Sequence, residues 1–279
     1  MRDRGLLCVH AHPDDESIAT GGVLARASDA GLPTAVVTCT GGEHGEINAA
    51  EVDPALSPAQ LRQVRAGELA DALGILRVAQ GIMLGFVDSG MMGTHTNDAP
   101  ESFWHASTDS AVGRLVEHLR TLRPAVVVTY DAYGLYGHPD HVQTHRVTVM
   151  AVHAAAHTRL YPQAGPPWRV PKAYFVTLPQ STAARVHGGL QALGLPSPFV
   201  GEGLVGTPEA HVTCAVDVRP WLGRKLAALQ AHRSQVGPDS LFLNIPDEMT
   251  DLAFGTEWFE RWRCDVDAPA SETDLFAGL

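Results

Sequence analysis

Six short apolar runs, most of them nearly unbroken and rich in β-branched residues, recur between stretches of helical periodicity. They are LLCVHA (6–11), TAVVTCT (34–40), GIMLGF (81–86), AVVVTYD (125–131), KAYFVTL (172–178) and HVTCAVDV (211–218). A strand with one face in water alternates polar and apolar residues. Continuous runs instead indicate burial on both faces, as in a parallel sheet covered by helices. The intervening segments supply the helices. Leu61, Val64, Leu69 and Leu73 form one stripe over 58–74, with Gly74 as a stop. Val112, Leu115, Val116, Leu119 and Leu122 repeat the i, i+3, i+4, i+7 spacing over 109–122, ahead of Pro124. A third helix is expected from His141 to about residue 158, and a fourth from Pro220 to Ser234. This alternation predicts an α/β fold: a Rossmann-like, doubly wound, mainly parallel sheet with right-handed crossovers. Ligands of such sheets bind at the carboxyl ends of the strands.

The 279 residues suit one large α/β domain or two small ones. The Pro-rich YPQAGPPWRVP (161–171) reads as a surface excursion rather than a linker, because strand–helix alternation resumes after it. One domain over 1–279 is therefore expected, with 1–160 as the Rossmann-like core and 161–279 completing the site with further strands and helices. Apolar residues make up 45% and charged residues 18%, enough for a sizeable core. The net charge of −11, with no Lys/Arg run, argues against nucleic acid as a partner. The start MRDRGLLCVHAH lacks the features of a signal peptide, and no apolar stretch reaches the ~18 residues of a membrane span. Cys8, Cys39, Cys214 and Cys264 lie far apart. The first three read as small buried hydrophobes, which fits a cytoplasmic protein and provides no thiolate metal site. GGEHGE (41–46) lacks both GxGxxG and GxxxxGK[ST], so no nucleotide site is expected.

The chemistry gathers where two of these strands end. VHAHPDDES (9–17) leaves the first strand with a histidine, two adjacent aspartates and a glutamate. The fourth strand runs into AYGLYGHPDHVQTH, which brings His138, Asp140, His141 and His145 to the same rim. His12 and Asp15 from one loop and His141 from the other form a two-histidine, one-carboxylate set that suits Zn²⁺ with open positions for water and substrate. Iron(II) is an alternative in a reducing cell. Adjacent carboxylates repel unless a cation shares the site. With Asp15 as ligand, Asp14 is free to act on water. His138 reads as a fourth ligand, as a turn residue bonded to Asp140, or as an imidazolium that Asp140 keeps charged and that faces a developing oxyanion. His10, inside its strand, reads as a hydrogen-bonded core histidine, and His145 as either packed or active. The loops 41–58 and 87–103 leave strand ends on this rim. Their Glu43, Asp88 and Ser89, with the cationic fork of Arg65, could pair with several substrate hydroxyls. Arg65 also reads as a plain helix partner of Glu68.

AHPDDE together with HPDH on a βαβ scaffold resembles the LmbE-like (PIG-L) zinc N-deacetylases. VVTCTGGEHGEI, RAGELADAL, GFVDSGMMGT, KLAALQAHRSQ and ETDLFAGL look like blocks of the members that deacetylate N-acetylglucosaminyl-inositol in mycothiol synthesis. The resemblance implies a metal-dependent hydrolase that releases acetate and amine from such a small-molecule conjugate. A mycothiol S-conjugate amidase and an N-acetylglucosaminyl-malate deacetylase are the alternatives. It implies His12, Asp15 and His141 as zinc ligands, Asp14 as general base, and His138 and Tyr136 as stabilisers of the transition state. It also implies Arg65, Asp88 and Gln235 as sugar or cyclitol contacts. Homo-oligomerisation stays open.

Two other classes compete. HxD…H also describes the iron site of non-haem oxygenases, though those are mostly all-β jelly rolls. A sugar-binding protein with a structural zinc would normally close the metal with four protein ligands, and it would have no use for Asp14 and His138.

Overall fold

The computed structural model describes residues 4–48, 52–195, 197, 206–237, 240 and 242–279, so residues 49–51 of the loop expected over 41–58 lie outside the described residues. One seven-stranded sheet runs in the order β3-β2-β1-β4-β5-β7-β6. Its strands are β1 (Gly5–His10), β2 (Thr34–Thr40), β3 (Gln80–Phe86), β4 (Pro124–Tyr130), β5 (Lys172–Thr177), β6 (Cys214–Asp217) and β7 (Thr256–Cys264). Strands β1 to β5 pair in parallel, and β7 is antiparallel to both β5 and β6. The doubly wound, mainly parallel expectation holds.

Period-two alternation within the strands divides the core into two layers. Leu6, Cys8, Val36, Val126 and Val128 face one side, against Val23 and Leu24 of α1 (Asp15–Asp29), Leu69, Leu73 and Leu76 of α2 (Pro58–Leu76) and Ala228 of α7 (Leu222–Ala231). Leu7, Val9, Val37 and Val127 face the other, against Val112, Leu115 and Leu119 of α3 (Thr108–Leu122) and Val147 and Ala151 of α5 (Pro139–Ala155). The one-turn α4 (Gly134–Gly137) precedes α5. Helices α6 (Gln180–Ala192) and α8 (Asp247–Phe254) make a smaller cluster through Val186, Leu190 and Met249. The α2 start is a capping box, with Ser57 accepting from the Gln60 amide and Pro58 at the first turn.

Helices α1, α4, α6 and α8 and strand β7 were not expected from the sequence. Gly21 and Gly22 interrupt the apolar stripe of α1 and lower its helix propensity. Packing explains Gly22: a Cβ there would lie 2.4 Å from Val218 Cβ, so only glycine lets the helix approach β6. Strand β7 reads TEWFERWRC, too charged to resemble the central runs. The helix expected over 220–234 stops at Ala231, and the strand expected over 211–218 shortens to Cys214–Asp217. The 161–171 excursion is tied down by buried Arg120, which donates to the carbonyls of Leu160, Tyr161 and Gly165 beyond the α5 end. Cys8, Cys39 and Cys214 are buried and free, as expected.

Candidate metal centre and active site

The chain winds outward from β1 through β2 to β3, then returns to lay β4 on the other side of β1. That reversal opens a crevice at the carboxyl ends of β1 and β4, the position at which doubly wound sheets bind ligands. Both motifs issue from it. After β1, the His12 amide donates to Asp15 Oδ2 at 2.8 Å, a tight turn that folds the Asp15 carboxylate back towards the His12 ring. Asp15 then bridges two imidazoles, with Oδ2 3.4 Å from His12 Nδ1 and Oδ1 3.4 Å from His141 Nε2. After β4, His138 caps α5 and Pro139 opens its first turn, which directs His141 inward.

Donor atoms of His12, His138 and His141 lie within 4.8 Å of one another, as do those of His12, Asp88 and Asp140. All five are buried. Asp140 Oδ2 sits 3.2 Å from His12 Nε2, and Asp88 Oδ1 3.7 Å from the same nitrogen. His141 Nδ1 and Asp140 Oδ1 are buried with no hydrogen-bond partner. Converging imidazoles, packed carboxylates and orphaned polar atoms fit a divalent cation, and the nitrogen and oxygen donors suit zinc or iron(II).

The charges respond to this crowding. Burial opposes ionisation of Asp15, yet the His141 and His12 rings hold its carboxyl well below the usual range. Burial also opposes protonation of His12, but Asp140, Asp15 and Asp88 lift it well above an ordinary imidazole. Burial pushes the Asp14 carboxyl up to about 6, against the pull of the Arg65 guanidinium. For Asp88, His12 and the amides of Gly90 and His44 overcome burial and bring it down to about 2.

Several expected roles change. Asp140 does not hold His138 charged. Its carboxylate faces His12 and accepts from the Ser89 amide at 2.9 Å, while its own amide donates to His138 Nδ1 at 3.1 Å. An accepting Nδ1 carries no proton, and burial with the neighbouring His12 and His141 brings His138 down to about 3, so this imidazole is neutral. Fully buried Asp140 and Ser89 cannot touch a substrate; the Ser89 hydroxyl accepts from the Trp104 amide. Arg65 is not the partner of Glu68. It donates to Gly42 O and Pro13 O at 2.5 Å each and reaches Asp14 Oδ2 at 3.2 Å. Glu68 instead accepts from the Ser234 amide and hydroxyl. Glu43 is buried and pairs with Arg62.

A cavity of about 410 Å³ opens over the cluster. Asp14, Arg65, Asp88, His138, Tyr136 and Gln235 line it together with His12 and Asp15. Tyr136 stands at the mouth, its hydroxyl 3.5 Å from His141 Nε2, next to Leu135 at φ 65°. His44, Met91, His95 and Thr96 also line the cavity and were not singled out from the sequence, where nothing sets them apart from ordinary loop residues. Tyr130 was missed too. It stacks on His141 with ring centroids 4.2 Å apart, and its hydroxyl accepts from the Ala11 amide, which ties the two motif loops together. Its place at the end of β4, ahead of the second motif, was the available signal. His10 is a buried histidine bonded to Tyr130 and Thr20, and His145 packs on Phe175 with Nδ1 at the Tyr130 carbonyl.

The profile of the family described as "PIG-L: GlcNAc-PI de-N-acetylase" matches residues 7–152, the segment that carries both loops. A protein of Geodermatophilus obscurus named 1D-myo-inositol 2-acetamido-2-deoxy-alpha-D-glucopyranoside deacetylase is 42% identical, over 99% of this chain and 98% of its own. Among solved structures, the N,N'-diacetylchitobiose deacetylase of Pyrococcus horikoshii superposes with a TM-score of 0.66 at 20% identity, over 92% of this chain and 83% of that one. The 4-carboxy-2-hydroxymuconate hydratase of Pseudomonas putida superposes with a TM-score of 0.62 at 17% identity, over 95% and 99% of the two chains. A hydratase on the same fold shows that architecture does not select the reaction. With both motif loops inside the matched segment and a relative alike over its full length, this chain belongs to the PIG-L family.

Proposed function

We propose that this protein is a zinc-dependent N-deacetylase that hydrolyses the acetamide of an N-acetylglucosaminyl-inositol conjugate to acetate and a free amine. The observation that carries the reading is Asp14: a carboxylate open to the cavity, beside a buried histidine and aspartate cluster suited to a divalent ion. The substrate class rests on the full-length likeness to deacetylases named for that inositol glycoside.

His12, Asp15 and His141 would hold the metal. When bound, it supplies Lewis acidity to the acetamide carbonyl and acidifies water. Asp14 takes the proton from the attacking water, and its raised pKa makes it a competent base near neutrality. Attack gives a tetrahedral oxyanion. Neutral His138, with Nδ1 committed to the Asp140 amide, donates from Nε2–H to that oxygen, and the Tyr136 hydroxyl at the mouth is the second donor. As the C–N bond breaks, the protonated Asp14 carboxyl returns its proton to the leaving amine. Arg65, Asp88 and Gln235 face the space a sugar and its aglycone would fill. Asp140 and Glu43 stand behind the wall as supports.

Residues 1–160 and 161–279 work as one unit, since Gln235 lines the same cavity as the two motif loops. Among the described residues no helix is long and apolar enough to cross a membrane. We take the working location to be the cytoplasm, with a small-molecule substrate and no nucleic-acid partner.

The test is acetate release from N-acetylglucosaminyl-inositol, N-acetylglucosaminyl-malate, free N-acetylglucosamine, chitobiose and a mycothiol S-conjugate. The inositol conjugate should be fastest and free N-acetylglucosamine slow, because missing hydroxyl partners leave buried polar groups unpaired. Faster cleavage of the S-conjugate would replace deacetylase with amidase.

A further inference from the structure

Asp14 is held in a conformation that L residues avoid, with φ 106° and ψ −32°. It stands at the junction where β1 turns into α1, and the turn separates two consecutive carboxylates: Asp14 points to Arg65 while Asp15 meets His12 and His141. Strain of this kind persists only where surrounding contacts over-determine it. The contact here is a buried one. The Asp14 amide donates to Glu16 Oε2 at 3.0 Å. The other carboxylate oxygen of Glu16 is fixed from two sides, by His232 Nε2 at 2.8 Å and by the Ser17 hydroxyl at 2.5 Å. Glu16 and His232 are both fully buried and come from segments 216 residues apart.

His232 is itself held in place. It follows the end of α7, and its backbone carbonyl accepts from the amides of Gln235 and Val236. Two residues on, the Ser234 amide and hydroxyl both donate to Glu68 of α2 at 2.7 Å. One connected set of bonds thus runs from α2 through the 232–234 turn to Glu16 and ends on the Asp14 peptide. Neither Glu16 nor His232 lines the cavity.

We infer that Glu16 and His232 are a positioning pair for Asp14: the buried carboxylate, clamped by His232, pins the strained Asp14 peptide and so aims its side chain into the cavity. The inference rests on Asp14 as the base. A plain helix cap at the start of α1 would need no clamp from α7, and its loss would lower stability without singling out the chemical step.

The experiment is steady-state acetate release from N-acetylglucosaminyl-inositol by zinc-loaded protein, with bound zinc measured on each variant. Glu16→Ala should lower kcat about ten- to a hundredfold, the equivalent of releasing the strained conformation, with KM and zinc content unchanged. Glu16→Gln keeps an acceptor for the Asp14 amide and should recover most of that loss. His232→Leu should behave like Glu16→Ala and carries the same test if the latter does not fold. In an Asp14→Asn background, Glu16→Ala should cost nothing further, because two residues acting as a unit are not additive. Three results would overturn the pair: kcat within about twofold of the parent beside an inactive Asp14→Asn, zinc lost in step with activity, or an equal loss in the Asp14→Asn background. An Asp14→Asn protein as active as the parent would overturn the base assignment itself, and this pair with it.

Discussion

Arg65 offers the sharpest test of how Asp14 works. Its guanidinium lies 3.2 Å from Asp14 Oδ2, and both side chains are largely shielded from solvent. A unit charge pair at that distance interacts by about 5 kcal/mol at an effective dielectric of about 20. That is an upper bound, because Asp14 keeps 19% of its side chain in contact with solvent. Arginine beside a carboxyl typically lowers its pKa by about one to three. Arg65→Met should therefore raise the Asp14 pKa by that much. The sign follows from the chemistry: a base must be ionised, so kcat climbs as pH rises through the Asp14 pKa, which burial and Arg65 together place at about 6 without metal. A bound dication lowers that value in parent and variant alike, so the difference between the two carries the test. The acid limb of kcat in Arg65→Met should move to higher pH by about one to three, with the plateau approaching the parent well above it. Arg65→Lys keeps the charge but not the fork. It should leave the limb near its parent position while lowering Tm, since Gly42 O and Pro13 O lose a shared donor and each unpaired buried carbonyl costs about 1–3 kcal/mol. The measurement is kcat against pH at saturating substrate. An acid limb unmoved in Arg65→Met would show that Asp14 is not the group titrating, or that Arg65 does not act on it.

Other perturbations probe separate parts of the structure. His12→Ala and His141→Ala should each lose bound zinc by elemental analysis, whereas Asp14→Asn should keep it; full zinc in both histidine variants would displace the ligand set. Gly42→Ala should reproduce the pH shift of Arg65→Met, because Gly42 sits at φ +64° and a Cβ would lie 2.2 Å from Arg65 Nη1; an unshifted profile would mean the guanidinium can move aside. Far from the site, Lys172 is fully buried with its Nζ 2.5 Å from Glu272 Oε1. Glu272→Leu, which leaves buried Lys172 without its carboxylate, should cost about 3–5 kcal/mol and lower Tm on the order of 10 °C in thermal melts, whereas Lys172→Met should cost less, because Arg261 at 3.1 Å and the Tyr174 hydroxyl at 2.7 Å still pair with Glu272.

What could be read from the sequence follows the range of the interaction involved. Central strands announce themselves because burial on both faces leaves only apolar residues, as in AVVVTYD. Helices α2, α3 and α5 carry a visible stripe or cap. The elements missed are those shaped by contacts that are distant in sequence. Gly21 and Gly22 disguise α1 because Lys225 of α7 and Val218 just after β6, about 200 residues on, take the room a side chain would fill. Strand β7 is disguised because its Glu257 is buried through distant partners, Lys225 of α7 and the Gly22 and Val23 amides of α1, while Glu260 is only half-buried. His12, His138, Asp140 and His141 were legible for the same reason as the central strands: they are local, packed into HPDD and HPDH, whereas Asp88 of the same cluster lies in neither.

Pairings were not legible, and they decide the chemistry. Nothing in the spacing tells Asp140 to turn towards His12 rather than His138, yet that choice makes His138 a neutral imidazole instead of a cation. Nothing local tells Arg65 to leave its helix neighbour Glu68 for Asp14, and that choice pulls down a carboxyl pKa that burial raises. The charges of the finished cluster then argue for a cation. Asp14, Asp15, Asp88 and Asp140 converge on His12 and Arg65, and the lifted His12 and the guanidinium balance only two of the four carboxylates. Part of that excess is relieved by pushing Asp14 and Asp140 upwards, as a low-dielectric site does when positive charge is short. Hydrogen bonding alone would have been better served by fewer acids, because each uncompensated buried carboxylate costs stability. A divalent ion, taking the place of the proton that a ligating His12 sheds, brings two positive charges into the cluster and offers a single reason for acids that a fold would otherwise discard.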